Sequence, residues 1–352
     1  MEFFENYIKE IELPDKKIVE ETKRKLDNLT KPKGSLGKLE ELAIIYCGIK
    51  GKTDVKIKNK VIFTLAGDHG VCEEGVSAYP TEVTEQMVYN FLKGTAAINV
   101  LARHVGAEVI VVDIGVKKDI FNEKVIIKKV DYGTKNFTKQ PAMTRKQAIQ
   151  SINYGIEIVE ERLKKSSIDI AGVGDMGIGN TTPSSAIVSV ITGNEVEKVT
   201  GYGTGISDDI YKRKIDVIKK AISFNKPDPS DPIDVLSKVG GFEIGGIAGV
   251  IIGCAKNRIP VLIDGFISGA GALIAYKISP ITKNYMIASH LSSEPGHKIL
   301  LDYIGLEPLL NLNLRLGEGT GAALGIFLVE SGIKILNEMA TFEEAGVSKE
   351  IK

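Results

Sequence analysis

Only three of the 352 residues are cysteine (Cys47, Cys72 and Cys254), and they stand far apart with no C-x-x-C pair. Such a set gives no disulfide framework and fits free thiols in a reducing compartment. A charge bias is missing too, since 45 basic residues are balanced by 45 acidic ones. Nothing therefore draws nucleic acid or an acidic membrane through bulk electrostatics. Long hydrophobic runs are equally scarce: IGGIAGVIIGCA, residues 244–255, is too short to span a bilayer. The opening MEFFENYIKEIELPDKK is charged throughout and lacks the apolar centre of a signal peptide. A cytoplasmic protein is expected.

Several catalytic signatures are also lacking. No G-x-S-x-G elbow occurs. KGSLGKL at 33–39 fails as a P-loop, because its first glycine is wrongly spaced and Leu39 stands where Ser or Thr would hold magnesium. His290 and His297 in SHLSSEPGH flank Glu294 without forming H-E-x-x-H. GDHG at 67–70 pairs Asp68 with His69 but brings no further ligands at a recognisable spacing. No metal site is expected, and His69 reads as a residue that orders a loop at a strand end.

The chain is long enough for one large domain or two smaller ones. Its 37 glycines exceed the usual share of about 7% and gather in short loops, the places where backbone turns tightly or approaches a ligand. Apolar spacing predicts helices over 17–29 and 36–49, separated by TKPKGSLG. From residue 60 the pattern alternates. KVIFTLAG, EVIVVDIG (108–115), VIIKKV (125–130), IDIAGVG, RIPVLID (258–264) and YMIAS (285–289) read as strands. Helices fall between them over 82–93, from Thr95 to Gly106, from the Thr144–Gln147 capping box to about residue 165, from Pro183, from Ser207 to about 224, and near 268–278, with a last one over about 320–337. The alternation predicts an α/β fold: a mainly parallel, doubly wound, Rossmann-like sheet with helices on both faces. A small helical domain over 1–58, joined by about 325–352, would sit beside a catalytic domain over 59–324.

AGDHG, GDMGIGN and IDGF each follow a strand directly, at the end where such sheets bind ligands. GVGDMG at 172–177 spells G-x-G-x-x-G, yet the loop runs on to Thr182 and Pro183, an expected helix cap and first residue. The acid that a dinucleotide site needs about twenty residues later is missing from GNEVEKVTG. A phosphate site at the helix N-terminus, with Gly177 and Gly179, survives this test. Asp175 would have to point away from a phosphate, toward a neutral or cationic group, or else merely shape the turn. In RLGEGTGAALG (315–325) glycines flank Glu318, whose one local cation is Arg315. It is either an exposed loop residue or a carboxylate of raised pKa that can take a proton. SAYPTEVTEQMVYNF (77–91) offers an aromatic, a proline, Gln86 and Met87 at a helix entrance, suited to a flat heterocycle, although Met87 also fits a plain core position. Lys214 could reach a phosphate or remain a solvated charge.

TKPKGSLGKLE (30–40), AGDHGV (66–71), PTEVTEQMV (80–88), GDMGIGNTT (174–182), GYGTGI (201–206), GGFEIGGIAG (240–249), IDGFIS (263–268), SHLSSEPGH (289–297) and LGEGTGAAL (316–324) together resemble the nicotinate-nucleotide–dimethylbenzimidazole phosphoribosyltransferases of cobalamin biosynthesis. The resemblance implies a homodimeric enzyme without metal or cofactor. It would move 5-phosphoribose from nicotinate mononucleotide to 5,6-dimethylbenzimidazole, giving α-ribazole 5′-phosphate and nicotinate. By the same resemblance Glu318 is the general base. Tyr79, Pro80, Gln86, Met87 and Leu316 surround the acceptor base. Gly177, Gly179, Asn180, Thr181, Gly203, Lys214 and Ser292 serve the phosphoribosyl group. Two positions depart from the usual pattern. Asp175 replaces a Glu common in the family, and Tyr79 stands where a smaller residue is frequent. Asp175 would stabilise positive charge on the ribose or position the incoming base. Two rivals are a Rossmann-type dehydrogenase, which requires NAD on the GVGDMG loop, and an azole-binding module that keeps the pocket without activity.

Overall fold

The computed structural model describes residues 2–348. In chain order these form α1 (Glu2–Lys9), α2 (Lys16–Asp27), α3 (Lys38–Lys50), β1 (Lys60–Gly67), α4 (Glu82–Lys93), α5 (Ala97–Val105), β2 (Ala107–Gly115), β3 (Ile126–Ile127), α6 (Arg145–Lys165) and β4 (Ile170–Met176). There follow α7 (Thr181–Thr192), α8 (Val196–Val199), α9 (Asp208–Asn225), α10 (Pro232–Val239), α11 (Phe242–Lys256), β5 (Val261–Ile263), α12 (Phe266–Ile278), β6 (Met286–Ala288), α13 (Pro295–Ile304) and α14 (Thr320–Glu338).

The six strands are all parallel, in the order β3-β2-β1-β4-β5-β6. Residues of β1 alternate between two cores, as a strand buried on both faces must. Val61, Phe63 and Leu65 join the core that holds residues of α6, α7, α11 and α12. Ile62 and Ala66 join the opposite core, with residues of α2, α3, α5 and α14. The expected doubly wound sheet is therefore present. Its order reverses between β1 and β4, which places the ligand crevice at the carboxyl ends of those two strands.

Thr144 caps α6 as expected, accepting from Gln147 N–H while Gln147 Oε1 accepts from Thr144 N–H. The helix expected from Pro183 begins earlier, at Thr181 with Asn180 at its cap. Thr182 is fully buried within its first turn, so the loop before it is shorter than anticipated. The strands expected over 125–130 and 258–264 contract to Ile126–Ile127 and Val261–Ile263.

Helices α10, α11 and α13 go beyond the sequence reading. In α11 every residue from Phe242 to Ala255 is buried, so the stretch has no polar face and no period to detect. Among the described residues α14 alone is long and apolar enough to cross a membrane; here it packs against α3, α5 and β4. Cys47, Cys72 and Cys254 are free.

The GVGDMG run is a strand and not a turn, since Gly172 and Gly174 both lie inside β4. A side chain at Gly172 would press on Ala322, and one at Gly174 would collide with the backbone of Glu318 and Gly319. These glycines admit the start of α14 to the sheet. A pyrophosphate has no part in that requirement.

The α6–α11 crossing depends on similar contact, because a Cβ at Gly155 would run into the backbone of Gly246, Gly249 and Val250. Backbone cannot yield as a side-chain tip does. Gly155→Ala should therefore destabilise the fold by roughly 1–3 kcal/mol, seen as a lowered urea midpoint with an unchanged slope.

Candidate active site

The loops after β1, β4, β5 and β6 meet the 313–320 segment above the sheet. A cavity of about 520 Å³ opens there, lined by Tyr79, Asp175, Gly177, Gly179, Asn180, Thr181, Gly203, Arg315 and Leu316. A smaller cleft adjoins it and shares Thr181, Gly203, Arg315 and Leu316, adding His290, Ser292, Glu294 and Gly317. Most of the expected site residues are thus gathered in one place.

Lys214 lies behind Gly203 and is fully buried. Its ammonium donates to Thr181 Oγ1 (2.7 Å) and the Gly201 carbonyl (3.1 Å). Burial pushes its pKa down to about 8, against a smaller opposing pull from Glu294. Arg315 reaches across to the Gly203 carbonyl (2.8 Å). Glu294 accepts from Gly203 N–H (2.8 Å) and holds that loop in place. Gly203 itself has a φ of +53° with Thr181 and Lys214 close by, a conformation and clearance that favour glycine. The N-terminal turn of α7 and these two cations converge at Gly203 in a cradle suited to an anion. Ser292 is fixed beside it, its N–H donating to His297 Nδ1 (2.9 Å). Burial, with His290 nearby, drives His297 down to about 3, so this ring is neutral and can accept.

Asp175 ends β4 and is buried. Asn180 Nδ2 donates to its Oδ2 (2.9 Å), so the carboxyl does face a neutral partner, as the anion argument requires. Burial, then the charges of Asp264 and Glu243, push its pKa well above the usual carboxylate range. This shift disfavours the charged form, against the expectation of a standing negative charge.

Glu318 is buried too, with a φ of +65°. Its N–H donates to the Asp175 carbonyl (3.2 Å), and Thr64 Oγ1 donates to its carbonyl (2.9 Å). Its carboxylate makes no ion pair with Arg315 and instead accepts from Ile98 N–H (3.2 Å) at the start of α5. Burial raises its pKa, and Asp264 adds to this against the pull of the Ile98 amide. Glu318 itself lines neither cavity, although its neighbour Gly317 borders the smaller one.

Not every expected residue arrives. Pro80 lines a neighbouring cavity of about 540 Å³, on the other side of Tyr79. Met87 is half-buried against a core cluster, and Gln86 is exposed. Neither lines the 520 Å³ cavity. Thr84, Val88 and Phe91 face inward on α4, which turns Gln86, two residues from Thr84 and from Val88, to the outside.

Other residues escaped the sequence reading. Asp264 binds the backbone at the start of α14. Glu243, in the buried α11, lies 2.8 Å from His69 Nε2, with both side chains sealed from solvent. Burial works against the charged imidazole, but Glu243 outweighs it and His69 titrates above its ordinary value. Gly177 packs beside the His69 ring, and a Cβ there would run into the Gly67 carbonyl. The strand-ending Asp of IDGF was a visible signal for Asp264. Glu243 had none.

A doubly wound sheet whose switch point carries a helix N-terminus, two nearby cations and buried acids is the architecture of an α/β enzyme suited to a small anionic ligand. The phosphoribosyltransferase family profile matches residues 11–347. A nicotinate-nucleotide–dimethylbenzimidazole phosphoribosyltransferase of Citrifermentans bemidjiense is 55% identical over 349 residues, covering 99% of each chain. The enzyme of the same name from Geobacter sulfurreducens is 55% identical over 336 residues, 95% of each. Two crystal structures from Thermus thermophilus superpose with TM-scores of 0.89 and 0.91 at 39% and 40% identity, covering 96% and 95% of this chain and all of theirs; the first is named as the same phosphoribosyltransferase. This chain belongs to the nicotinate-nucleotide–dimethylbenzimidazole phosphoribosyltransferase family.

Replacing Lys214 by Met tests the cradle. Loss of a charged donor worth roughly 1.5–3 kcal/mol should raise the KM for a phosphorylated donor tenfold or more. The folded chain releases the Lys214 proton near pH 8 and the unfolded chain near 10.5. Between those values the unfolded state binds more protons, so stability rises with pH. Melting temperatures of ligand-free wild type should therefore gain on Lys214→Met from pH 8 to 10.

Proposed function

We propose that the chain transfers 5-phosphoribose from nicotinate mononucleotide to 5,6-dimethylbenzimidazole or a related base, releasing nicotinate and α-ribazole 5′-phosphate for the cobalamin nucleotide loop. The observation that carries this reading is the junction of the Asp175 and Glu318 backbones beside a cavity backed by Lys214 and Arg315. Family membership gives it the named substrates. The active form is a cytoplasmic homodimer without metal or cofactor, as the family resemblance implies.

The donor's pyridinium is its own leaving group. As the C1′–N bond breaks, its electron pair returns to the ring nitrogen and neutralises it. A lone pair on one nitrogen of the acceptor forms the new bond to C1′, and the proton on its other nitrogen passes to Glu318. Positioned proton transfer of this kind contributes about 10²–10⁴-fold in rate. Lys214, Arg315 and the turn at Gly203 anchor the phosphate. Tyr79 and Leu316 supply apolar walls for the acceptor, both well exposed in the cavity.

The decisive experiment mixes purified protein with nicotinate mononucleotide and a panel of acceptor bases and measures nicotinate released. Dimethylbenzimidazole or a close azole should give product; absence of product with every base overturns the proposal. Glu318→Gln should slow turnover at least tenfold with the melting temperature preserved. Because the Glu318 carboxyl titrates above its ordinary range, kcat/KM should fall with decreasing pH while typical surface carboxylates are still ionised. That limb should vanish in Glu318→Gln.

A further inference from the structure

The carboxyl of Asp264, just beyond β5, is fully buried. Its Oδ2 accepts from Gly319 N–H (3.0 Å), and its Oδ1 from Gly321 N–H (2.6 Å) and Ala322 N–H (3.3 Å). The first amides of a helix lack partners within it. In α14 the cap position is Gly319, with no side chain to offer, so the acceptor comes from a neighbouring strand. His290 Nε2 stands 3.5 Å from Asp264 Oδ1, and a Cβ on Gly321 would strike both residues.

Glu318 immediately precedes these amides in the left-handed region. A non-glycine residue is strained there and persists only where its surroundings over-determine it. Thr64 holds its carbonyl and Asp175 takes its N–H. Asp264 holds everything that follows.

We propose that Asp264 is a positioning residue for the transfer reaction: by gripping the amides of residues 319, 321 and 322 it fixes the strained turn that aims Glu318. The inference rests on Glu318 being the base. Asp264 touches neither the acceptor nor C1′; it acts through the turn. Its charge also adds to the burial that makes Glu318 basic.

Asp264→Asn keeps the shape and one acceptor oxygen but turns the other into a donor. It should lower kcat at least tenfold, change the KM for nicotinate mononucleotide less than threefold, and move the acid limb of kcat/KM to lower pH. In a Glu318→Gln background the same substitution should cost less than twofold, because the group it positions is already gone. Asp264→Glu, which keeps the charge, should return the acid limb toward its original place. Losses that multiply in the double variant, or an unmoved acid limb, overturn the positioning role. So does failure of both Asp264 variants to fold, which would assign the residue to stability alone. Full turnover in Glu318→Gln by itself removes the base reading, and this inference with it.

Discussion

The turn at residues 317–319 rests directly on the carboxyl end of β4, backbone against backbone. Gly174 has no Cβ to hold the Glu318 carbonyl away, and the Glu318 N–H closes the contact on the Asp175 carbonyl. Because of this one approach, two acids far apart in the chain are joined through their backbones beside the cavity that Asp175 lines, and α14 begins over the sheet instead of beside it. Moving the turn outward by the width of a methyl group would withdraw the Glu318 carbonyl from Thr64 and the amide of residue 319 from Asp264. These contacts stand or fall together, since each one sets the geometry of the next.

A second consequence is electrostatic. Packing the turn this closely buries Asp175, Asp264, Glu243 and Glu318 in one region, and burial with neighbouring acids raises the proton affinity of Asp175 and of Glu318. Cations are distributed unevenly among them. His69 pairs with Glu243 and His290 lies by Asp264, whereas Lys214 and Arg315 stay on the phosphate side, bound to hydroxyl and carbonyl oxygens. The site is thus divided into an acidic wall and a basic corner. Neither half is neutralised by the other, and an anionic tail on a substrate complements the basic corner.

How much of this was legible follows from the range of each signal. Glycine loops at strand ends and the Thr144–Gln147 box are local, so a few adjacent residues reveal them. The parallel sheet was readable because βαβ alternation constrains everything between its strands. Three kinds of feature stayed hidden. The buried α11 has no amphipathic period. The capping of α14 by Asp264 joins residues that only the folded sheet brings together. The inward face of α4, which turns Gln86 to the surface, depends on rotation about the helix axis. The G-x-G of GVGDMG misled for a related reason: glycine marks close approach, but sequence does not say what approaches. Here it is the chain's own turn.

The exchange of Asp for Glu at position 175 can be weighed on the proposed reaction. In the ground state the positive charge sits on the pyridine ring; as the bond loosens it moves onto the ribose. An acid accelerates the reaction only if it gains more from the second arrangement than from the first. Asp175 is short and bound by Asn180, and burial with its acidic neighbours pushes its carboxyl well above the usual carboxylate range. A neutral carboxyl offers little to either cation and much to a hydrogen-bond acceptor. Glu318 is less deeply surrounded and keeps an amide partner that favours its ionised form. Both acids are pushed toward the protonated form, Asp175 further than Glu318, and unequal proton affinity is the pattern that divides labour between paired carboxyls elsewhere in enzymology. On the proposed reaction the shorter side chain would serve as a donor that orients the incoming base, leaving Glu318 to take the proton.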